Sequence, residues 1–114
     1  MSFNLIIFLT FVYMSIFLDQ YSYLHFSTGI IAYFWGVDFY IWVIIHILYE
    51  LLENLYSSIH IINKYITLWP GGKTCPDPIL NRIGDVLSSA IGWLSAYYLD
   101  SIGSHYGWYV MHIQ

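Results

Sequence analysis

A chain of 114 residues that is 59% hydrophobic and 21% aromatic but only 9% charged cannot offer water an ordinary charged surface on every side. Three Lys and Arg against seven Asp and Glu, a net charge of -4, leave no basic stripe to meet phosphates, which excludes a nucleic-acid partner and a polybasic lipid contact. One compact unit fits this length, and three or four membrane helices would use nearly all of it, so the expected class is an all-α transmembrane helical bundle forming a single domain over residues 1–114.

The first apolar segment runs from Phe3 to Leu18. Its length would suit a secretion signal, but no Lys or Arg precedes it and Asp19-Gln20-Tyr21 follows without a small-x-small cleavage site, so it is expected to remain as a membrane helix. The second segment, Tyr21 to Gly36, carries a narrow stripe of His25, Gly29, Ala32 and Gly36 with Thr28 beside it. Small residues at that spacing let helices approach closely.

The third segment, Phe39 to Ile62, reads as one continuous helix. Wound at about 100° per residue, it gathers His46, Glu50, Glu53, Ser57 and His60 on one side, with Asn54 at the edge and Ile41, Ile44, Ile45 and Leu48 elsewhere. Ionisable groups in so apolar a stretch are costly and need partners or a task, so this side is expected to face inward. Glu50 is the hardest to explain otherwise, flanked by Leu48, Tyr49, Leu51 and Leu52. His60, near the helix end, reads as solvated or interfacial.

The loop from Trp69 to Pro76 contains Gly72-Lys73-Thr74, the ending of a phosphate-binding loop, but Thr67 stands where the leading Gly belongs and no strand precedes it, so that reading is rejected. Lys64, Lys73 and Arg82, the whole set of Lys and Arg, lie in or beside this loop, which the positive-inside rule places in the cytoplasm. Cys75 is the single cysteine and reads as an inert loop thiol, with no intrachain disulfide to form.

A fourth segment, Pro78 to Leu99, is expected to start with Asp77 as N-cap and Pro78 in the first helical position. Its Asn81, Asp85, Ser88, Ser89, Gly92 and Ala96 form another polar-then-small stripe. The apolar tail, 102–114, reads as a helix extension or a short interfacial helix, and its His105 and His112 show no partner pattern.

Turning the three stripes toward one another brings His25, His46, Glu50, Glu53, Asn81 and Asp85 into one polar site. His46-x-x-x-Glu50 has ligand-compatible spacing, but a metal shell would have to borrow His25 or Asp85 from another helix, so no metal site is assigned, and no signature names a cofactor. No Gly-x-Ser-x-Gly nucleophile elbow occurs either.

Three strings in order, Tyr23-Leu24-His25-Phe26, Tyr49-Glu50-Leu51-Leu52-Glu53 and Asp77-Pro78-Ile79-Leu80-Asn81-Arg82-Ile83-Gly84, resemble the VanZ-like family of small four-helix membrane proteins. Carried over residue by residue, the resemblance lands on His25, Glu50, Asp77, Asn81 and Gly84; Glu53 stands where that family usually has Gln. The longer pattern, with Glu53, Asn54 and Asp85 added, is similar to a second bacterial membrane family of the same type. The resemblance implies the four-helix membrane fold and these polar positions, and it covers roughly Tyr21 to Leu99.

The expected function is binding the polar part of a membrane lipid or lipid-linked molecule, with His25, Glu50 and Asp85 as candidate acid/base groups and His46, Glu53, Asn54, Asp77 and Asn81 as ligand-binding groups. The alternative is a non-catalytic structural subunit of a larger membrane assembly, its polar stripe acting as interhelical glue between this chain and other membrane subunits. A third reading is a proton or ion pathway lined by His25, Glu50 and Asp85.

Overall fold

The structure, a computed structural model, describes residues 2–70 and 72–112. Every regular element in them is helical: α1 (Phe3–Phe17), α2 (Ser22–Phe34), α3 (Phe39–Glu53), α4 (Tyr56–Tyr65) and α5 (Ile79–His105). The 27-residue α5 is the organising element, and α1, α2 and α3 all pack on it.

Helices α2 and α5 run in the same direction, as the ordered pairs His25 with Asp85, Gly29 with Ser89 and Tyr33 with Asp100 require. Their axes come close because two glycines face backbone across the interface. A methyl group added at Gly29 would collide with the Ser89 carbonyl, and one at Gly92 with the Phe26 carbonyl. Helix α3 runs the opposite way along α5, with Phe39 against Trp93, Trp42 donating to Ser89 Oγ at 2.8 Å, and Asn54 beside Asp77. Helix α1 buries no residue; its C-terminal end alone is held, where Gly84 of α5 meets the Phe17 carbonyl.

Burial is inverted relative to a water-soluble domain. The buried hydrophobic set is small, Ala32, Tyr33, Ile59, Ile62 and Ala96, whereas His46, Glu50, Asn54, Asn81, Asp85 and Asp100 are all buried. Large apolar side chains face outward along α1, α3 and α5, among them Phe8, Phe11, Ile44, Leu52, Ile91 and Leu99. That is far more exposed apolar surface than scattered single residues would give.

Among the described residues no single helix is long and apolar enough to cross a membrane, but two bent pairs meet the length and composition requirement together: α1 with α2, bent by 46°, and α3 with α4, bent by 82°. The 15 residues of α1 reach about 22 Å at ~1.5 Å each, short of the ~30 Å hydrocarbon thickness. Helix α5 has the length, but the polar face carrying Asn81, Asp85, Ser88 and Ser89 dilutes its apolar character.

Several sequence expectations change. The stretch 39–62 is not one helix: the Asn54 side-chain amide donates to the Glu50 carbonyl at 2.7 Å while its Oδ1 accepts the Asp77 N–H at 2.7 Å, and the chain leaves α3 there. Leu55 is extended, α4 departs at 82°, and Ser57 and His60 end up exposed, away from the arc that would have joined them to Glu50. Gly36 belongs to no packing stripe. With φ of 77° it terminates α2, its N–H donating to Tyr33 and the Val37 N–H to Ala32, a Schellman arrangement.

Asp77 does not cap α5. Pro78 occupies the N-cap position without a side-chain bond, because the Asp77 carboxylate is drawn to Lys73 instead. The tail extends α5 only to His105; it then turns at Gly107, and Tyr109 folds back over Gly103 to donate to the Leu99 carbonyl at 2.9 Å. His112 has partners after all, donating its N–H to Asp100 Oδ2 at 2.9 Å and its Nε2–H to the Phe34 carbonyl at 2.7 Å. His105 is exposed.

Candidate functional site

Three helices deliver the central group. His25 comes from the first turn of α2, His46 and Glu50 from successive turns of α3, and Asp85 from the second turn of α5, on the buried stripe that also holds Asn81 and Ser88. The two imidazoles meet edge to face, with His25 Nδ1 at 3.0 Å from His46 Nε2. Glu50 Oε1 sits 3.6 Å from His25 Nδ1 and 3.5 Å from His46 Nε2, outside hydrogen-bond geometry to either ring. On the far side of the His25 ring, Nε2 lies 3.3 Å from Asp85 Oδ2.

Neighbouring side chains hold the rings in place. Trp42 and Tyr49, one turn on either side of His46, bracket its ring at centroid distances of 5.5 and 5.4 Å. Thr28 donates to the His25 carbonyl at 2.6 Å, and its oxygen also lies 3.4 Å from Ser89 Oγ of α5.

A second layer lies toward the loop end of the bundle. Lys73 Nζ reaches Asp77 Oδ2 at 2.6 Å and Glu53 Oε1 at 3.5 Å, and its backbone is clamped by the Asn63 side chain of α4, which donates to the Lys73 carbonyl and accepts its N–H at 3.2 Å. Burial alone would lower the pKa of this ammonium group, but the hydrogen bond to Asp77 and the charge of Glu53 outweigh it and raise it above the ordinary value. Arg82 Nε donates to the Asp77 carbonyl at 2.9 Å. Asn81 turns toward α1, donating to the Ile16 carbonyl at 2.9 Å and to Asp19 Oδ2 at 3.1 Å.

Both layers open onto one cavity of about 590 Å³. His25, His46, Glu53, Asp77, Asn81 and Asp85 contribute polar wall, while Leu24, Trp42, Ile45, Tyr49 and Trp69 supply apolar and aromatic wall. Glu50 and Asn54 lie behind that wall, Glu50 at 3% exposure. The eight sequence-selected residues therefore fall into a core of His25, His46, Glu50 and Asp85, a loop-side layer of Glu53, Asn54 and Asp77, and Asn81, which tethers α1.

Sequence reasoning passed over Lys73, the counter-charge of the second layer, and Asp19, which lines the cavity beside Asn81. Position 73 drew attention only through a failed phosphate-loop motif and as one of the loop's positive charges, and its partners are fixed by the fold. It also passed over Tyr33, fully buried, whose hydroxyl donates to Asp100 at the opposite end of the bundle.

Three buried carboxylate oxygens, Glu50 Oε1, Glu53 Oε2 and Asp85 Oδ1, have no hydrogen-bond partner among the described residues. Buried polar atoms are ordinarily paired, so these mark where the site has capacity left to bind. The donor atoms of His25, His46 and Glu50 lie within 4.8 Å of one another, as do those of Glu50, Glu53 and Asp77, which makes both trios geometrically able to share a cation. Comparison with protein-family models, with curated proteins and with solved structures finds no match to this chain.

Proposed function

We propose that this chain is an integral membrane protein whose cavity receives the polar part of a lipid or lipid-linked molecule. The observation that carries this reading is the pairing of an inverted exterior with an unsatisfied interior. Apolar side chains cover the outside of α1, α3 and α5, while a 590 Å³ cavity inside is lined by imidazole, carboxylate and amide groups beside an aromatic flank. A molecule with a polar head and an apolar tail matches both kinds of wall. Support for membrane residence comes from the bent pairs α1–α2 and α3–α4, which together meet the length and composition requirement, and from the motif order that resembles the VanZ-like family.

The balance of charge narrows the chemistry of the head. Asp19, Glu53, Asp77 and Asp85 line the cavity against one ammonium, that of Lys73, which is already paired, so hydroxyl-rich or amine-bearing groups suit the wall better than a bare anion. His25 beside Asp85 is the pair best placed to exchange a proton with such a group, since both border the cavity.

The competing reading, a structural subunit whose polar groups are interhelical glue, requires each buried polar atom to be satisfied within the bundle. Trp42 with Ser89 and Tyr33 with Asp100 fit that requirement; the three unpartnered carboxylate oxygens do not. The test is native mass spectrometry of the chain purified from membranes in mild detergent. A retained lipid adduct, reduced about tenfold or more in Asp85→Asn while far-UV circular dichroism is unchanged, is the expected result. Release of the bare chain from wild type and variant alike would remove the lipid reading.

A further inference from the structure

We propose that His25 Nδ1, His46 Nε2 and Glu50 Oε1 form a three-ligand site for a divalent transition metal ion, with zinc the best match and the fourth coordination position facing the cavity. The proposal is independent of the lipid reading, since it needs only the folded chain and the ion.

The distances set the first constraint. The three atoms are separated by 3.0, 3.5 and 3.6 Å. Ligands around a tetrahedral zinc with bonds of ~2.0–2.1 Å lie ~3.3 Å apart, so this triangle is within a few tenths of an ångström of the required one. A point about 2.0–2.1 Å from all three atoms lies just to one side of the plane they define, at ordinary Zn–N and Zn–O bond lengths.

Proton bookkeeping sets the second. With the Asp85 carboxylate 3.3 Å from Nε2, the His25 tautomer carrying hydrogen on Nε2 is favoured, which leaves a lone pair on Nδ1. His46 Nε2 can offer one hydrogen at most. If it goes to His25 Nδ1, nothing remains for Glu50 Oε1, which is 3% exposed as a residue and has no hydrogen-bond donor among the described residues. A single cation satisfies all three atoms at once. Asp85 then takes the place of the outer carboxylate that commonly orients a metal-bound imidazole and strengthens it as a ligand.

Ligand type decides which ion. Two imidazoles and one carboxylate suit zinc and its first-row neighbours, whereas calcium and magnesium prefer shells of oxygen. The imidazoles border the cavity and Glu50 closes the site from behind, so the remaining position points to where a water or a ligand oxygen would sit. The second trio, Glu50, Glu53 and Asp77, is a poorer candidate because the Lys73 ammonium already stands 2.6 Å from Asp77 and 3.5 Å from Glu53.

The test uses the full chain in detergent micelles, stripped with a chelator and titrated with Zn²⁺ alone by calorimetry, with Co²⁺ as the spectroscopic stand-in. Expected are one ion per chain at micromolar affinity or tighter and the intense visible bands of four-coordinate Co²⁺. Glu50→Gln and His46→Gln should weaken Zn²⁺ binding more than Asp85→Asn, whose outer position predicts a loss of ~10–100-fold. His60→Gln, at an exposed position of α4, should leave affinity unchanged. Imidazole ¹⁵N spectra of the wild-type chain keep the test decisive if a variant fails to fold: Zn²⁺ must shift His25 Nδ1 and His46 Nε2. Absence of Zn²⁺ binding, shifts confined to His60, His105 and His112, or unaltered affinity in folded Glu50→Gln would overturn the assignment.

Discussion

The ring of His25 and the carboxylate of Asp85 meet at 3.3 Å across two helices that run in the same direction, α2 and α5. Parallel packing is what permits it. Both residues sit near the start of their helices, so one interface brings two N-terminal turns and their polar side chains to the same depth. Because the partners are buried and adjacent, their substitutions should not act independently. A double-mutant cycle of His25→Gln and Asp85→Asn, read by thermal unfolding in detergent, should show a coupling of about 1–3 kcal/mol; additive losses would mean the pair does not interact.

Lys73 makes the second layer electrically tolerable. Replacing it by Met would leave Glu53 and Asp77 facing each other without a counter-charge. The expected destabilisation is roughly 2–3 kcal/mol, below the ~3–5 kcal/mol typical of a broken buried pair, because the Asp77 side chain keeps 32% of its exposure. Adding Glu53→Gln to Lys73→Met should recover part of the loss, and a double variant no more stable than the single one would argue against the pairing.

The same lysine sets a pH signature. Burial works against its charge, but Asp77 and Glu53 together raise its pKa in the folded chain above the ordinary 10.5. Its stabilising contribution is therefore fully present below the unfolded value and is lost as pH rises through the folded one. The stability difference between wild type and Lys73→Met should stay flat from about pH 7 to 9 and shrink only above ~10.4. Shrinkage already between pH 7 and 9 would contradict the raised value.

Gly92 lies where α5 crosses the Phe26 carbonyl, and a methyl group there has no room unless backbone moves. Gly92→Ala should cost about 2–4 kcal/mol despite the better helix propensity of Ala. Gly36→Ala should cost less, about 1 kcal/mol, since its burden is the positive φ of 77° and nothing crowds its Cβ position. Equal effects of the two would contradict the packing role given to Gly92.

At the far end of the bundle, Tyr33 donates to Asp100, which also accepts the His112 N–H. Tyr33→Phe removes one of those donors from a buried carboxylate and should cost about 1–3 kcal/mol. The tail should loosen with it, seen as faster amide exchange at His112. Unchanged exchange would show that the tail is held by its other contacts alone.

Much of the central group was legible because helical period is a local property. His46 and Glu50 one turn apart, and the stripes of α2 and α5, needed no knowledge of tertiary contacts. The break after Glu53 was not legible, since the Asn54 side chain that ends α3 is anchored from the other direction by the Asp77 N–H, 23 residues away. For the same reason Asp77 read as a cap: its competing partner, Lys73, is brought to it by a loop clamped on Asn63 of α4. Tyr33 stayed hidden among twelve tyrosines, most of which have nothing to mark them. The membrane reading itself came from composition; among the described residues no single helix meets the length and apolarity requirement, whereas two bent pairs meet it together.

The most direct test of the central claim, that polar groups of α2, α3 and α5 line a pocket for the head of a membrane lipid, is a nuclear Overhauser measurement on the chain in lipid nanodiscs. Expected are cross-peaks from headgroup protons to the ring protons of His25 and His46, with Phe8 and Phe11 on α1 seeing acyl chains instead. Imidazole protons that contact only protein, or α1 aromatics that contact only water, would contradict it.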